Sequence, residues 1–174
     1  PLPQYNLVGV GDAPASLAEF EGLTVRATGG IGAAMETVGA VPTSMSATEV
    51  RQAMDSGVVK AVSFAPHAHM SFGTIENATW WTTNLNPGTV NCPVVVNTDA
   101  YEALPDAHRA ALDESVDEAI AHYLENYAGL LERWEGILAE KNVTKVVVPD
   151  SEIAKFKEVA MPIHQEWIDT MSAQ

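Results

Sequence analysis

The chain has 174 residues, 47% of them apolar and 18% charged, enough for one sizeable core or for two small lobes that share elements. That balance excludes a disordered chain, and no apolar run approaches the roughly 20 residues that span a bilayer, so the sequence reads as a soluble globular protein. With 23 acidic against 9 basic residues the net charge is -14, which speaks against nucleic acid as a partner because no basic stripe exists to neutralise phosphates.

In chain order, Leu23 to Ala27 (LTVRA) predicts a short strand, Gly30 to Val38 a helix and Val41 to Met45 a second strand. Ser46 and Glu49 have the spacing of a capping box, so a second helix is expected from Ala47 to about Ser56, ended by Gly57. A third strand, Val58 to Phe64, follows at once, and the alternation predicts a parallel α/β unit. In open sheets of this kind ligands bind beyond the carboxyl ends of the strands. Arg26 to Gly29, Met45 to Ala47, and Ser63 with Phe64 all fall there.

His67 to Gly88 reads as a helix-poor connection ahead of an apolar strand, Cys92 to Asn97. From Asp106 to about Lys141 the sequence has no proline, and Leu112, Val116, Ile120, Tyr123, Tyr127, Leu131, Trp134 and Leu138 recur at spacings of three and four. A helix of that length measures about 50 Å at about 1.5 Å per residue, more than a small domain is wide, so it is expected to bridge lobes or partners. A last strand, Lys145 to Val148, precedes a helix that starts at Asp150 and runs toward Thr170, with Pro162 expected to kink or interrupt it.

Arg26 is the most informative residue. It either sits exposed and pairs with a surface glutamate such as Glu19, or grips an anion beside the free amides of a helix opening at Thr28, Gly29 and Gly30. The glycines of "TGGIGAA" also invite a dinucleotide reading, and hence a nucleotide-dependent α/β enzyme. The match is poor, because Met35 stands where a third small residue belongs and no acidic residue closes the strand at Met45.

His67 and His69 have a spacing that suits two metal ligands on an extended segment, but no third ligand is near, and polar loop histidines are the simpler reading. Cys92, the single cysteine, forms no intrachain disulfide and reads as a small buried hydrophobe. Pro1 is the residue type that serves as a base in some small isomerases, a likeness confined to that one residue. Of Phe64, Phe72, Trp80 and Trp81, all core by default, Phe64 is the one expected to wall a ligand; the adjacent tryptophans would face opposite ways on a strand. No nucleophile elbow, zinc-helix motif or cofactor fingerprint is present.

The segments "LAEFEGLTVRATGG", "VGAVPTSMSATEVRQAMDSGVVKAV" and "VVVNTDAYEALPDAHRAAL", followed by the long helix, resemble the solute-binding proteins of the tripartite ATP-independent periplasmic (TRAP) transporters, the dicarboxylate-binding-protein family. The resemblance implies a periplasmic-binding-protein-like α/β lobe with a parallel-rich sheet and a long lobe-spanning helix. Its function would be capture of a small organic acid, a carboxylate or sulfonate, outside the cytoplasm and delivery to a TRAP membrane permease, with no catalysis and no cofactor.

By the same resemblance Arg26 forms a paired salt bridge with the ligand carboxylate. Phe64 occupies a pocket position commonly filled by asparagine or tryptophan, Gly29 and Ala47 match pocket-lining loop positions, and Asn86 matches a polar ligand-contacting position. Lys60 and Ala61 depart from the family's aspartate and glycine. Residues 1–97 would then form the second ligand-binding lobe, residues 98–141 the turn and spanning helix, and residues 142–174 a strand and helix packing on the lobes. The family's first lobe has no counterpart in this sequence, so the chain is expected to be a carboxyl-terminal portion whose exposed apolar surface is covered by that lobe or by self-association.

Overall fold

The computed structural model describes residues 4–90 and 93–172. Among these residues six strands form one sheet in the order β3-β2-β4-β1-β5-β6. They are β1 (Asn6–Gly9), β2 (Thr24–Arg26), β3 (Val41–Thr43), β4 (Ala61–Phe64), β5 (Trp80–Thr82) and β6 (Thr144–Val146). The three strands expected early in the chain are present and parallel: β2 pairs with β3 on one side and β4 on the other. Each is shorter than its apolar run, because pairing ends where the neighbouring strand ends.

β1 was not legible beforehand. It runs antiparallel between β4 and β5, with Asn6 opposite Phe64 and Val8 opposite both Val62 and Trp81. All four of its residues are buried, so the period-2 alternation that marks a half-exposed strand is missing.

Side chains alternate across the sheet and divide the core in two. On one face Leu7, Val25, Ala61 and Trp80 pack with Phe20 of a short 3-10 turn (Leu17–Phe20), with Ile31 and Met35 of α1 (Gly29–Glu36), and with Phe156 of α6 (Asp150–Ser172). On the other, Val62 and Phe64 pack with Val50 and Met54 of α2 (Val50–Asp55), while Val8 and Trp81 pack with Trp134 and Leu138 of α5 (Asp106–Glu140). Trp80 and Trp81 thus face opposite ways, as adjacent strand residues must, and both are buried. Lys145 of β6 lies 5.7 Å from the centre of the Trp81 ring, closing that edge.

Two expectations need correction, and at Pro162 one of two alternatives drops out. The span His67–Gly88 is not helix-poor: α3 (Pro66–Ser71) opens it, with proline in its first turn, and β5 lies within it. The strand expected over Cys92–Asn97 is not formed in its described part. Pro93–Asn97 carry no regular structure and are exposed, because no neighbouring strand offers them a ladder; Cys92, like Pro1, lies outside the described residues. Of the kink or interruption expected at Pro162, interruption does not occur, since α6 continues through it. The ring removes one hydrogen bond, and Ile153, Phe156, Ala160 and Ile163 hold the helix to the core on both sides of it.

The capping box before α2 is half made. The Glu49 carboxylate accepts from the Ser46 amide at 3.1 Å, while the Ser46 hydroxyl turns to Thr48, 2.9 Å away, so the helix proper starts at Val50 rather than Ala47. The long helix matches its expected span closely, yet only Trp134 and Leu138 of it are buried. A short helix, α4 (Thr98–Glu102), capped by Asn97, leads into it. Tyr101 donates to Asp113, and Arg109 donates to the Glu102 and Leu104 carbonyls, which fixes the turn between α4 and α5.

Candidate functional site

Parallel pairing places Arg26 opposite Val62, so the pleat brings Phe64, two residues on, to the same face and one step nearer the carboxyl edge. The Arg26 guanidinium lies 4.5 Å from the centre of the Phe64 ring. Its Nε and Nη2 both donate to the Met45 carbonyl, at 3.3 and 3.0 Å. Three strand ends therefore converge through one side chain, as the switch-point argument requires.

Arg26 is 8% exposed. Glu19 does not pair with it: that carboxylate accepts from the Ala15 amide at 3.0 Å. Among the described residues no acidic side chain forms an ion pair with Arg26, and its Nη1 has no hydrogen-bond partner. Burial pulls the guanidinium below its usual pKa, partly offset by the phenol of nearby Tyr5, but an arginine so high on the scale stays protonated. The result is a fixed, desolvated cation with one open edge.

Next to it, α1 begins with Thr28 as an extended cap residue whose hydroxyl makes no capping bond. The first intrahelical bond comes from the Gly32 amide to the Thr28 carbonyl, so the amides of Gly29, Gly30 and Ile31 are left without intrahelical acceptors. Gly29 has φ +53°, and a Cβ there would meet nothing within 4 Å; its backbone conformation, not crowding, favours glycine. Gly32 differs, since a Cβ would approach the Pro42 ring at 3.3 Å. It serves close packing of α1 on the sheet rather than approach of a pyrophosphate. No acidic residue closes β3, which ends at Thr43, and with Gly32 explained by packing the dinucleotide reading loses its support.

The other expected residues divide. Ala47 is half-buried and packs with Met45 against the Phe64 cluster. Asn86 is exposed, two residues ahead of Gly88, where a Cβ would meet Ile31 of α1 at 3.0 Å.

Tyr5 escaped the sequence reading, and His69, read there as a polar loop histidine, is placed differently. Tyr5 sits just before antiparallel β1 and so reaches the carboxyl edge of β4, half-buried against both faces' clusters, with its amide donating to the Gly88 carbonyl at 3.0 Å. The short apolar run after it, bounded by Gly9, was the available signal. His69 lies on α3, not in a loop, and is fully buried. Its Nε2 contacts the Asn6 carbonyl at 3.2 Å and its Nδ1 the Thr74 hydroxyl at 2.6 Å. Its ring meets Phe64 edge-on at 5.5 Å and stacks on Trp134 at 5.4 Å, and burial drives its pKa down to about 3. His67 is exposed and leans on Tyr127 instead, and no group of three metal-ligating side chains is found among the described residues. Two grooves elsewhere, along the Pro162 side of α6 and between the 3-10 turn and α6, do not touch Arg26.

The family model for bacterial extracellular solute-binding protein family 7, DctP, matches residues 12–170. The C4-dicarboxylate-binding periplasmic protein DctP of Rhodobacter capsulatus is 27% identical over 161 residues, covering 90% of this chain and 47% of that protein. Among solved structures, a TRAP periplasmic solute-binding protein from Pseudomonas aeruginosa with bound L-malate superposes with a TM-score of 0.80 at 17% identity, over 94% of this chain and 57% of its own. A marine-metagenome TRAP solute-binding protein in complex with metahydroxyphenylacetate gives 0.81 at 22% identity, over 96% and 54%. The chain thus spans about half the length of the relatives it matches. With the family model matching nearly the whole sequence and the sheet superposing on these folds, the chain belongs to bacterial extracellular solute-binding protein family 7, the solute-binding proteins of TRAP transporters.

Proposed function

We propose that the chain is the ligand-gripping lobe of a periplasmic receptor that captures a small organic acid anion and hands it to TRAP membrane permease subunits, without catalysing a reaction. The observation that carries this reading is Arg26: a buried cation, oriented by Met45 and Phe64, with one free edge and no counter-charge among the described residues. A structural arginine is ordinarily paired; one held open in this way suits a carboxylate or sulfonate that arrives from solvent. The α1 amides add a favourable dipole beside it. Similar proteins bind L-malate and metahydroxyphenylacetate, which supports an acid ligand for this one.

Residues 1–97 act in this reading as the second lobe, residues 98–141 as the turn and spanning helix, and residues 142–174 as the strand and helix that tie the lobe together. Gly29, Ala47, Phe64 and Asn86 line or border the ligand site. Exposed apolar side chains on α5, from Leu112 to Leu131, support a further lobe or a second copy as its cover.

The experiment is thermal unfolding of the protein as its gene encodes it, across carboxylates and sulfonates. A ligand at 100 times its dissociation constant adds about 2.7 kcal/mol. Arg26→Ala removes a desolvated bidentate pair and is expected to weaken binding by about 2–5 kcal/mol, a few decades in affinity. Stabilisation by an acid that survives Arg26→Ala unchanged would defeat the assignment. Stabilisation by a dinucleotide alone would revive the enzyme reading.

A further inference from the structure

We propose that the fully buried His69 is a positioning residue for acid binding: its ring holds Phe64 against Arg26 and so sets where the free fork of the guanidinium points. This rests on the acid-binding reading above and deepens it. A guanidinium presents two forks, and the Nε/Nη2 fork of Arg26 is spent on the Met45 carbonyl. The Nη1/Nη2 edge left for a carboxylate is aimed only as well as the rest of the side chain is held. Met45 anchors one side of it, and the Phe64 ring, 4.5 Å from the guanidinium carbon, supports the rest.

Phe64 is the last residue of β4, and its ring is held by packing, since it has no polar atom to bond. Two rings of the α3 segment pack on it, three residues apart on one helix face: His69 edge-on at 5.5 Å and Phe72 tilted at 5.6 Å. Phe72 is only partly buried. His69, by contrast, is locked. The Asn6 carbonyl can only accept, so the imidazole proton sits on Nε2 and points at it across 3.2 Å, while Nδ1 accepts from the Thr74 hydroxyl at 2.6 Å. Asn6 is the residue paired with Phe64 between β1 and β4, so the imidazole bonds to one member of that pair and packs on the other. With both nitrogens bonded and a face stacked on Trp134 at 5.4 Å, the ring cannot turn without breaking a buried hydrogen bond. An apolar side chain of similar size would fill the space without being fixed in this way.

The test reads Arg26 by NMR in the protein as its gene encodes it, grown with isotope-labelled arginine, and titrates it with acetate, the smallest carboxylate probe. Phe64→Leu removes the ring current and so defines the shift of an unsupported guanidinium. His69→Leu is expected to move the Arg26 Nε–H signal most of the way to that value and to weaken acetate binding about two- to tenfold, the cost of immobilising a long side chain on binding. Thr74→Val removes only the bond to Nδ1; it is expected to move the signal the same way by less, and it decides the matter if His69→Leu does not fold. Gly9→Ala, which crowds Trp80 on the other face of the sheet, controls for lost stability and is expected to leave the signal in place. An Arg26 signal unmoved in the folded variant would overturn the positioning role, and so would a moved signal with unchanged acetate affinity. Acetate that leaves the wild-type Arg26 signal unmoved would instead remove the acid-binding reading, and this inference with it.

Discussion

At the scale of single residues, the site is a chain of ring contacts ending in one open charge. Arg26 lies on Phe64, Phe64 meets His69, and His69 stacks on Trp134, itself edge-on to Trp81 at 5.7 Å. His69 ties this chain to β1 through the Asn6 carbonyl, and it does so only when neutral enough to be buried. Its folded pKa of about 3 lies below the ordinary 6.5, so between those values the unfolded chain takes up a proton that the folded chain refuses. The stabilising difference is full above about pH 6.5 and is lost as the pH falls toward 3, at no more than about 1.4 kcal/mol per pH unit. Urea unfolding at pH 7 and pH 5 should therefore show a loss of stability that His69→Gln largely abolishes and His67→Gln largely keeps. An unchanged slope in His69→Gln would mean that the buried imidazole is not its source.

At the scale of elements, what was legible depended on whether an element carried its own periodicity. β2, β3, β4 and the 35-residue α5 announce themselves by short apolar runs or by three-and-four spacing, and their order alone put Arg26 and Phe64 at one edge of the sheet. β1 and β5 were missed because both are three or four residues long and buried on both faces, so they show no alternation. Missing β1 hid Tyr5, which reaches the site only because that strand runs antiparallel. The strand misread over Cys92–Asn97 shows the reverse error: β-branched residues favour a strand only when a neighbouring strand is there to pair.

The β1–β5 contact also makes a prediction of its own. An added Cβ at Gly9 would fall 2.1 Å from the Trp80 ring, and Trp80 is itself held edge-on by Phe20. Gly9→Ala should destabilise by about 1–3 kcal/mol, the ordinary range for overpacking, read as a lower urea midpoint at unchanged slope. A midpoint equal to wild type would show that the tryptophan has room to move.

At the scale of the whole molecule, a chain of net charge -14 is proposed to hold an anion, and the resolution lies in where the charges sit. The ion-paired acids Asp55, Glu76, Asp106 and Glu135 are 44–95% exposed at their side chains. Charges of that kind are screened within about 8 Å at physiological salt, whereas a desolvated arginine is not. The acidic surface therefore opposes anion approach over long range only weakly, and the local field of Arg26 decides occupancy.

The measurement that bears on this most directly is a crystal structure of the protein with a bound acid. The account predicts one ligand carboxylate on the Nη1/Nη2 edge of Arg26, with N to O distances of about 2.7–2.9 Å, while Nε still donates to Met45. An acid bound elsewhere, with that edge left empty, would contradict it.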